Sequence, residues 1–152
     1  MLYSLWLTAL IAPIATIAAP TNAVESRQTG LVKPAPCVRN SKTTVSQTKS
    51  RSKAFARAFI YDQDISKAFE YIVSDYINHN PLAQNGSDSA WGILSPIWAA
   101  QDMTPLRTTF KNPQSWLEYN NTAFGVVVDR FRWEGGCIVE HWDQGEVFPS
   151  KP

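Results

Sequence analysis

Apolar positions along this chain change their spacing several times. From Leu2 to Ala19 they run almost unbroken, opening on Leu2, Leu5, Trp6 and Leu7 and closing on Ile17, Ala18 and Ala19. From Ser52 they recur at helical spacing as Ala54, Phe55, Ala58 and Phe59. Asp62-Gln63-Asp64 breaks that run, and Asp64 can cap a second helix with Ile65, Phe69, Ile72, Val73 and Tyr76 on its apolar face. Lys67 stands where a full capping box has Glu. The second helix must stop before Pro81, because the residue before a proline is biased to extended geometry. After a loop from Leu82 to Asp88, a third helix is predicted from Ser89 or Ala90 towards Ala100, carrying Trp91, Leu94 and Trp98 and kinked at Pro96.

The remainder reads as strands: Thr104 to Phe110, Ser115 to Tyr119, Phe124 to Trp133 and Ile138 to Asp143. Gly135-Gly136 is a two-residue hairpin signal between the last two. Helices first and a meander of strands afterwards is the α+β order. Taking the two glycines as the turn, Asp129 faces Trp142 and Val128 faces Asp143. One sheet face then carries Asp129, Phe131, Trp133, Ile138, Glu140 and Trp142, and should meet the helices. The other carries Val128, Arg130, Arg132, Val139, His141 and Asp143. A bulge in this hairpin would shift the parity and bring both carboxylates to one face. Both registers stay open at this level.

The first apolar run reads as a secretory signal over residues 1–23, with small residues at Thr21-Asn22-Ala23 for cleavage. Pro13 and the shortness of the run argue against a stable membrane anchor, which needs about 20 apolar residues. The expected localisation is extracellular. Cys37 and Cys137 fit that compartment, since an even cysteine count in a secreted chain favours a disulfide; two free thiols are the alternative. Such a bridge would close a loop of roughly 100 residues, in principle contributing about 4–5 kcal/mol. Asn85 and Asn120 begin glycosylation sequons.

Charge divides the mature chain. The formal net charge is only +1. From Val24 to Phe55, however, Arg27, Lys33, Arg39, Lys42, Lys49, Arg51 and Lys53 face a single acid, Glu25, whereas acids exceed bases from Ala56 onward. Residues 24–51 read as a basic, Ser/Thr/Lys-rich leader, largely flexible, and residues 52–152 as one domain. Nucleic acid is not an expected partner, because the basic stretch lacks interleaved aromatics. No Ser-His-Asp arrangement, glycine-rich phosphate loop, nucleotide motif or metal-ligand spacing is visible, so neither a metal nor a cofactor is expected.

Three segments together resemble the SnoaL-like polyketide cyclases of the nuclear transport factor 2-like superfamily: Tyr76-Ile77-Asn78-His79-Asn80-Pro81, Val127-Val128-Asp129-Arg130-Phe131-Arg132 and Gly136-Cys137-Ile138-Val139-Glu140-His141-Trp142-Asp143. The resemblance implies a cone, in which a curved antiparallel sheet wrapped by about three N-terminal helices encloses a pocket for a hydrophobic small molecule. Members include polyketide ring cyclases, with ketosteroid isomerases, limonene-epoxide hydrolases and scytalone dehydratases as distant relatives, and others that bind without chemistry. Between Asn80 and Asp129 this chain is shorter than the family usually is.

Asp143 falls where relatives carry a pocket carboxylate that works as acid or base, and His79 where relatives line the pocket. The resulting expectation is that Asp143 or Asp129 moves a proton, assisted by His79, while Trp91, Trp98, Phe131, Trp142 and Asn80 hold the ligand. The structural alternatives are that Asp129 pairs with Arg107 or Arg130, that His79-Asn80-Pro81 only stops a helix, and that His141 is structural or lies at a dimer face. Arg130 and Arg132 are expected in salt bridges on the outer sheet face. A homodimer through that face, and a non-catalytic binding module, are the competing functional readings.

Overall fold

The computed structural model describes residues 31–150. The signal segment 1–23 and the leader residues 24–30 lie outside the described residues. Helix α1 (Val45–Ala56) opens on a complete capping box, in which the Thr44 hydroxyl accepts the Gln47 N–H and the Gln47 side chain accepts the Thr44 N–H. It runs on into a π-helical turn, Arg57–Tyr61. Helix α2 (Ile65–Phe69), strand β1 (Ile72–Asn78), helix α3 (Ser87–Leu94) and a 3-10 turn (Trp98–Ala100) follow. Strands β2 (Met103–Lys111), β3 (Gln114–Asn121), β4 (Gly125–Glu134) and β5 (Cys137–Trp142) complete the fold.

The five strands form one sheet in the order β1-β5-β4-β3-β2. The architecture is α+β, as expected, but the sheet is mixed: β1 lies parallel to β5, and the other pairs are antiparallel. The helices cover one face of it. Phe55, fully buried, stacks on Phe59 at 5.2 Å and turns its edge to Phe131 at 4.8 Å, joining α1 to the sheet. Among the described residues no helix is long and apolar enough to cross a membrane.

Three expectations are corrected. The domain begins well before Ser52, for α1 starts at Val45 and buries Thr48 and Ser52. Residues 37–44 are tied down too. Cys37 and Cys137 form a disulfide, Cys37 N–H reaches the Ile72 carbonyl, and Asn40 N–H reaches the Gly135 carbonyl. The cations expected to solvate a flexible leader have partners: Arg39 pairs with Asp75, Lys33 with Asp88, and Arg51 lies over the Tyr71 ring while bonding the Gly136 carbonyl. A polar composition conceals this, because few of these residues need burial to hold the segment in place.

The predicted second helix is cut to Ile65–Phe69. Asp64 caps it by accepting the Lys67 N–H, but Ile72 to Asn78 form β1. Aromatic and β-branched residues at Tyr71, Ile72 and Val73 suit a strand, and β5 supplies a parallel partner that local spacing does not reveal. The predicted third helix stops at Leu94 instead of kinking, since Pro96 cannot donate a helical hydrogen bond, and Trp98–Ala100 form a separate turn.

Candidate active site

The β4–β5 hairpin decides what faces the helices. Next to the Gly135-Gly136 turn, Trp133 faces Ile138 and Glu134 faces Cys137, as expected. Then the register shifts. Arg132 faces Glu140, Phe131 faces His141 and Arg130 faces Trp142, so Val139 is the extra residue of a bulge. Beyond it every side chain of β5 has changed face. His141 joins Phe131 and Asp129 inside, while Glu140 and Trp142, both expected inside, move out. Glu140 accepts from Arg132 at 2.8 Å, and Trp142 lies under the Arg130 guanidinium at 3.9 Å.

Inside lies a cavity of about 580 Å³. Phe55, Phe59, Phe69, Trp98 and Phe131 supply its aromatic wall. Tyr76, Tyr119, Asn78, Asn80, Asp129, His141 and Asp143 supply its polar part. Leu82, Ile93, Ile97, Phe124 and Val126 line the same cavity and are exposed, which gives it an apolar mouth. The Trp98 indole is fixed by donating to the Phe59 carbonyl at 2.7 Å.

At the polar end His141 Nε2 lies 2.9 Å from Asp129 Oδ1, and its Nδ1 lies 3.2 Å from Asn78 Oδ1. The imidazole sits between the rings of Phe131, 4.9 Å away, and Tyr76, 6.4 Å away. Asp129 is only 4% exposed, and its Oδ2 has no partner. Asp143, half-buried, accepts the Asn80 side-chain amide at 2.5 Å and the Gln144 N–H at 2.7 Å. Burial pushes the Tyr76 hydroxyl well above the usual tyrosine range, and the charges of Asp129 and Asp143 push it further. Tyr119 is raised in the same way, by burial first and then by the Asp129 charge beside it. Both phenols therefore remain neutral donors at any working pH.

One ligand-type atom from each of Asp129, His141 and Asp143 lies within 4.8 Å of the others, a grouping that sequence spacing did not show. The closest contact is that of a shared proton. Two tetrahedral zinc ligands would stand about 3.4 Å apart, wider than the 2.9 Å between His141 and Asp129.

Of the sequence candidates, Asp129, Asp143, Asn80, Trp98 and Phe131 line the cavity. His79, Trp91 and Trp142 do not. His79 is exposed and stacks on Trp142 at 4.4 Å and 5°, because its place in the β1 pleat is opposite that of Asn78. Trp91 turns edge-on to Phe69 at 5.1 Å, on the helical side of the wall. The alternative partners proposed for Asp129 are taken elsewhere, Arg107 by Glu118 and Arg130 by Glu146. Asn85 and Asn120 are both exposed, and Asn85 Oδ1 accepts the Asn78 N–H. Sequence reasoning missed His141, Asn78, Tyr76 and Tyr119 as site residues. One signal for His141 was available: strand alternation puts it on the face of Asp143 in any register.

No protein-family model matches the sequence, and no curated protein matches it. Solved structures do. A SnoaL-like protein of unknown function from Burkholderia thailandensis matches with a TM-score of 0.53 at 8% identity, over 67% of this chain and 96% of that one. A candidate ketosteroid isomerase from Kribbella flavida matches with a TM-score of 0.53 at 13% identity, over 70% of this chain and 84% of that one. A nuclear transport factor 2-like protein of unknown function from Cytophaga hutchinsonii matches with a TM-score of 0.51 at 13% identity, over 67% and 91%. At such identities the likeness establishes the fold. This chain has the fold of the SnoaL-like and nuclear transport factor 2-like proteins.

Proposed function

We propose that the chain binds a hydrophobic small molecule in this cavity and moves a proton on it without a cofactor, in chemistry of the cyclase, isomerase or dehydratase type. The observation that carries the reading is the convergence of the Asp129–His141 pair and Asp143 at the polar end of an aromatic cavity. In this scheme Asp143, the more open carboxylate, takes a proton from carbon beside a carbonyl. The C–H electron pair moves to the carbonyl oxygen. Neutral Tyr76 and Tyr119 hydroxyls and the proton held by the Asp129–His141 pair meet the charge that develops there. The aromatic wall and apolar mouth orient a flat ligand.

The test incubates the purified protein with fractionated hydrophobic metabolite extracts and identifies what is retained and what is converted by mass spectrometry. Retention with turnover, lost by at least about 100-fold in Asp143→Asn and Asp129→Asn, supports the proposal. Retention with no turnover in any variant replaces it with the non-catalytic binding module. That second reading is favoured by one observation, that both Asp143 oxygens already accept hydrogen bonds.

We also propose that the protein acts outside the cell. The apolar run Leu2–Ala19, the Cys37–Cys137 bridge and the two exposed sequon asparagines support this. Secretion with glycosidase-sensitive mass would bear it out. A homodimer through the outer sheet face is a further proposal, checked by sedimentation.

A further inference from the structure

Hydrogen-bond accounting at His141 leads one step further, on the basis of the proton-transfer reading above. Asn78 Oδ1 accepts the backbone N–H of Asn80 at 3.1 Å. That contact fixes the amide's orientation, because flipping it would set the NH₂ group against an N–H donor. The atom facing His141 Nδ1 at 3.2 Å is therefore an oxygen, which can only accept. Nδ1 must carry a hydrogen in every protonation state that keeps this bond.

The other nitrogen then has two options. Nε2 either holds a second hydrogen and donates to an ionised Asp129, or holds none and accepts from a protonated Asp129. Both descriptions place one proton on the 2.9 Å line between Nε2 and Oδ1. Neither leaves Nδ1 bare. We infer that Asn78 is a positioning residue that locks His141 in the Nδ1–H form and so makes Asp129 and His141 a one-proton store, its movable proton always at the Nε2 end. The neighbours of the ring are consistent with this. Phe131 and Tyr76 cover its two faces. Asp129 and Asp143 are the titratable groups grouped with it. Backbone pairing supports the lock, since Asn78 and His141 are register partners and the next N–H, that of His79, donates to the His141 carbonyl at 2.9 Å.

The test needs no ligand. Long-range proton–nitrogen correlation spectra of the ¹⁵N-labelled protein identify which nitrogen keeps its hydrogen as the pH is raised until the imidazole is neutral. Nδ1 is expected to stay protonated and Nε2 to lose its hydrogen. Asn78→Asp retains an acceptor oxygen and should retain that form. Asn78→Ala should turn the Nδ1–H form from the major to the minor species. Asn80→Ala, which removes the amide held by Asp143, should leave the His141 nitrogens unchanged. A neutral His141 bearing its hydrogen on Nε2 in the wild-type protein overturns the assignment, as does an Asn78→Ala spectrum like the wild type. If Asn78→Ala does not fold, the wild-type and Asn78→Asp spectra still decide it. Absence of turnover in the extract assay would leave this result standing, and a failed lock would leave that assay to stand on the aspartate variants.

Discussion

His79 and His141 are joined by a backbone hydrogen bond, yet they live in opposite environments. His141 is enclosed by aromatic rings, with both nitrogens engaged by Asn78 and Asp129. His79 is exposed, lying flat on Trp142 on the far face of the sheet. The residue type is the same; pleat parity, with the bulge at Val139 setting it for β5, assigns the roles. The inner face is a buried polar network set in packed aromatics, where a removed partner leaves a group with nothing to bond. The outer face is a layer of half-exposed stacks and ion pairs, where water can replace what is lost.

The largest test of that contrast is to delete one inner partner. Asp129→Ala strands the His141 imidazole and should cost about 3–5 kcal/mol in urea unfolding, the range for breaking a buried pair from one side. Phe131→Ala should cost about as much by opening a void between Phe55, Phe59 and His141. If either change costs less than 1 kcal/mol, the inner face is not the rigid element described here.

Raising the pH probes the same face without mutation. Both Tyr76 and Tyr119 have hydroxyls held far above the usual tyrosine value by burial. A folded pKa above the unfolded one means the native state keeps protons that the unfolded chain releases. Stability is then complete below the ordinary value near 10 and falls as the pH rises beyond it. Each tyrosine should contribute a loss of about 1.4 kcal/mol per pH unit above that value. The Tyr76→Phe, Tyr119→Phe double variant should flatten this alkaline limb. A limb of unchanged slope in that variant would place its origin elsewhere.

The same contrast explains which parts of the fold and site were legible in the sequence. Strands β2 to β5 and the Gly135-Gly136 turn could be read directly, because alternation and turn chemistry are local signals. The inward position of Phe131 and Asp129 followed from that alternation. The face of β5 beyond Val139 did not, since a bulge depends on how two strands fit and not on the residues of either alone. That single shift exchanged Trp142 for His141 in the cavity. Strand β1 was hidden for a related reason. Ile65, Phe69, Ile72, Val73 and Tyr76 satisfy a helical spacing, and only the distant partner β5 makes the second half a strand. Asn78 left no sequence signal, its role resting on a contact across 63 positions with His141.

The smallest effects belong to the outer face. Trp142→Ala should cost about 1 kcal/mol, and His79→Ala within about 0.5 kcal/mol, with ligand retention unchanged in both. Glu140 gives the outer face its own pH signature, opposite in sign to that of the tyrosines. The Arg132 guanidinium bonded to Glu140 holds its carboxyl below the ordinary value of 4.5, and the charges of His79 and Arg130 act in the same direction. A depressed folded pKa contributes stability that is present above 4.5 and is lost as the pH falls through the lower, folded value. Glu140→Gln should therefore be less stable than wild type by at most about 1 kcal/mol at pH 7 and low salt. The gap should narrow in 1 M salt, where screening acts over about 3 Å, and close as acid protonates the wild-type carboxylate. If Glu140→Gln instead costs as much as Asp129→Ala, and salt does not reduce the loss, the outer face is buried in solution. A second subunit would then have to cover it.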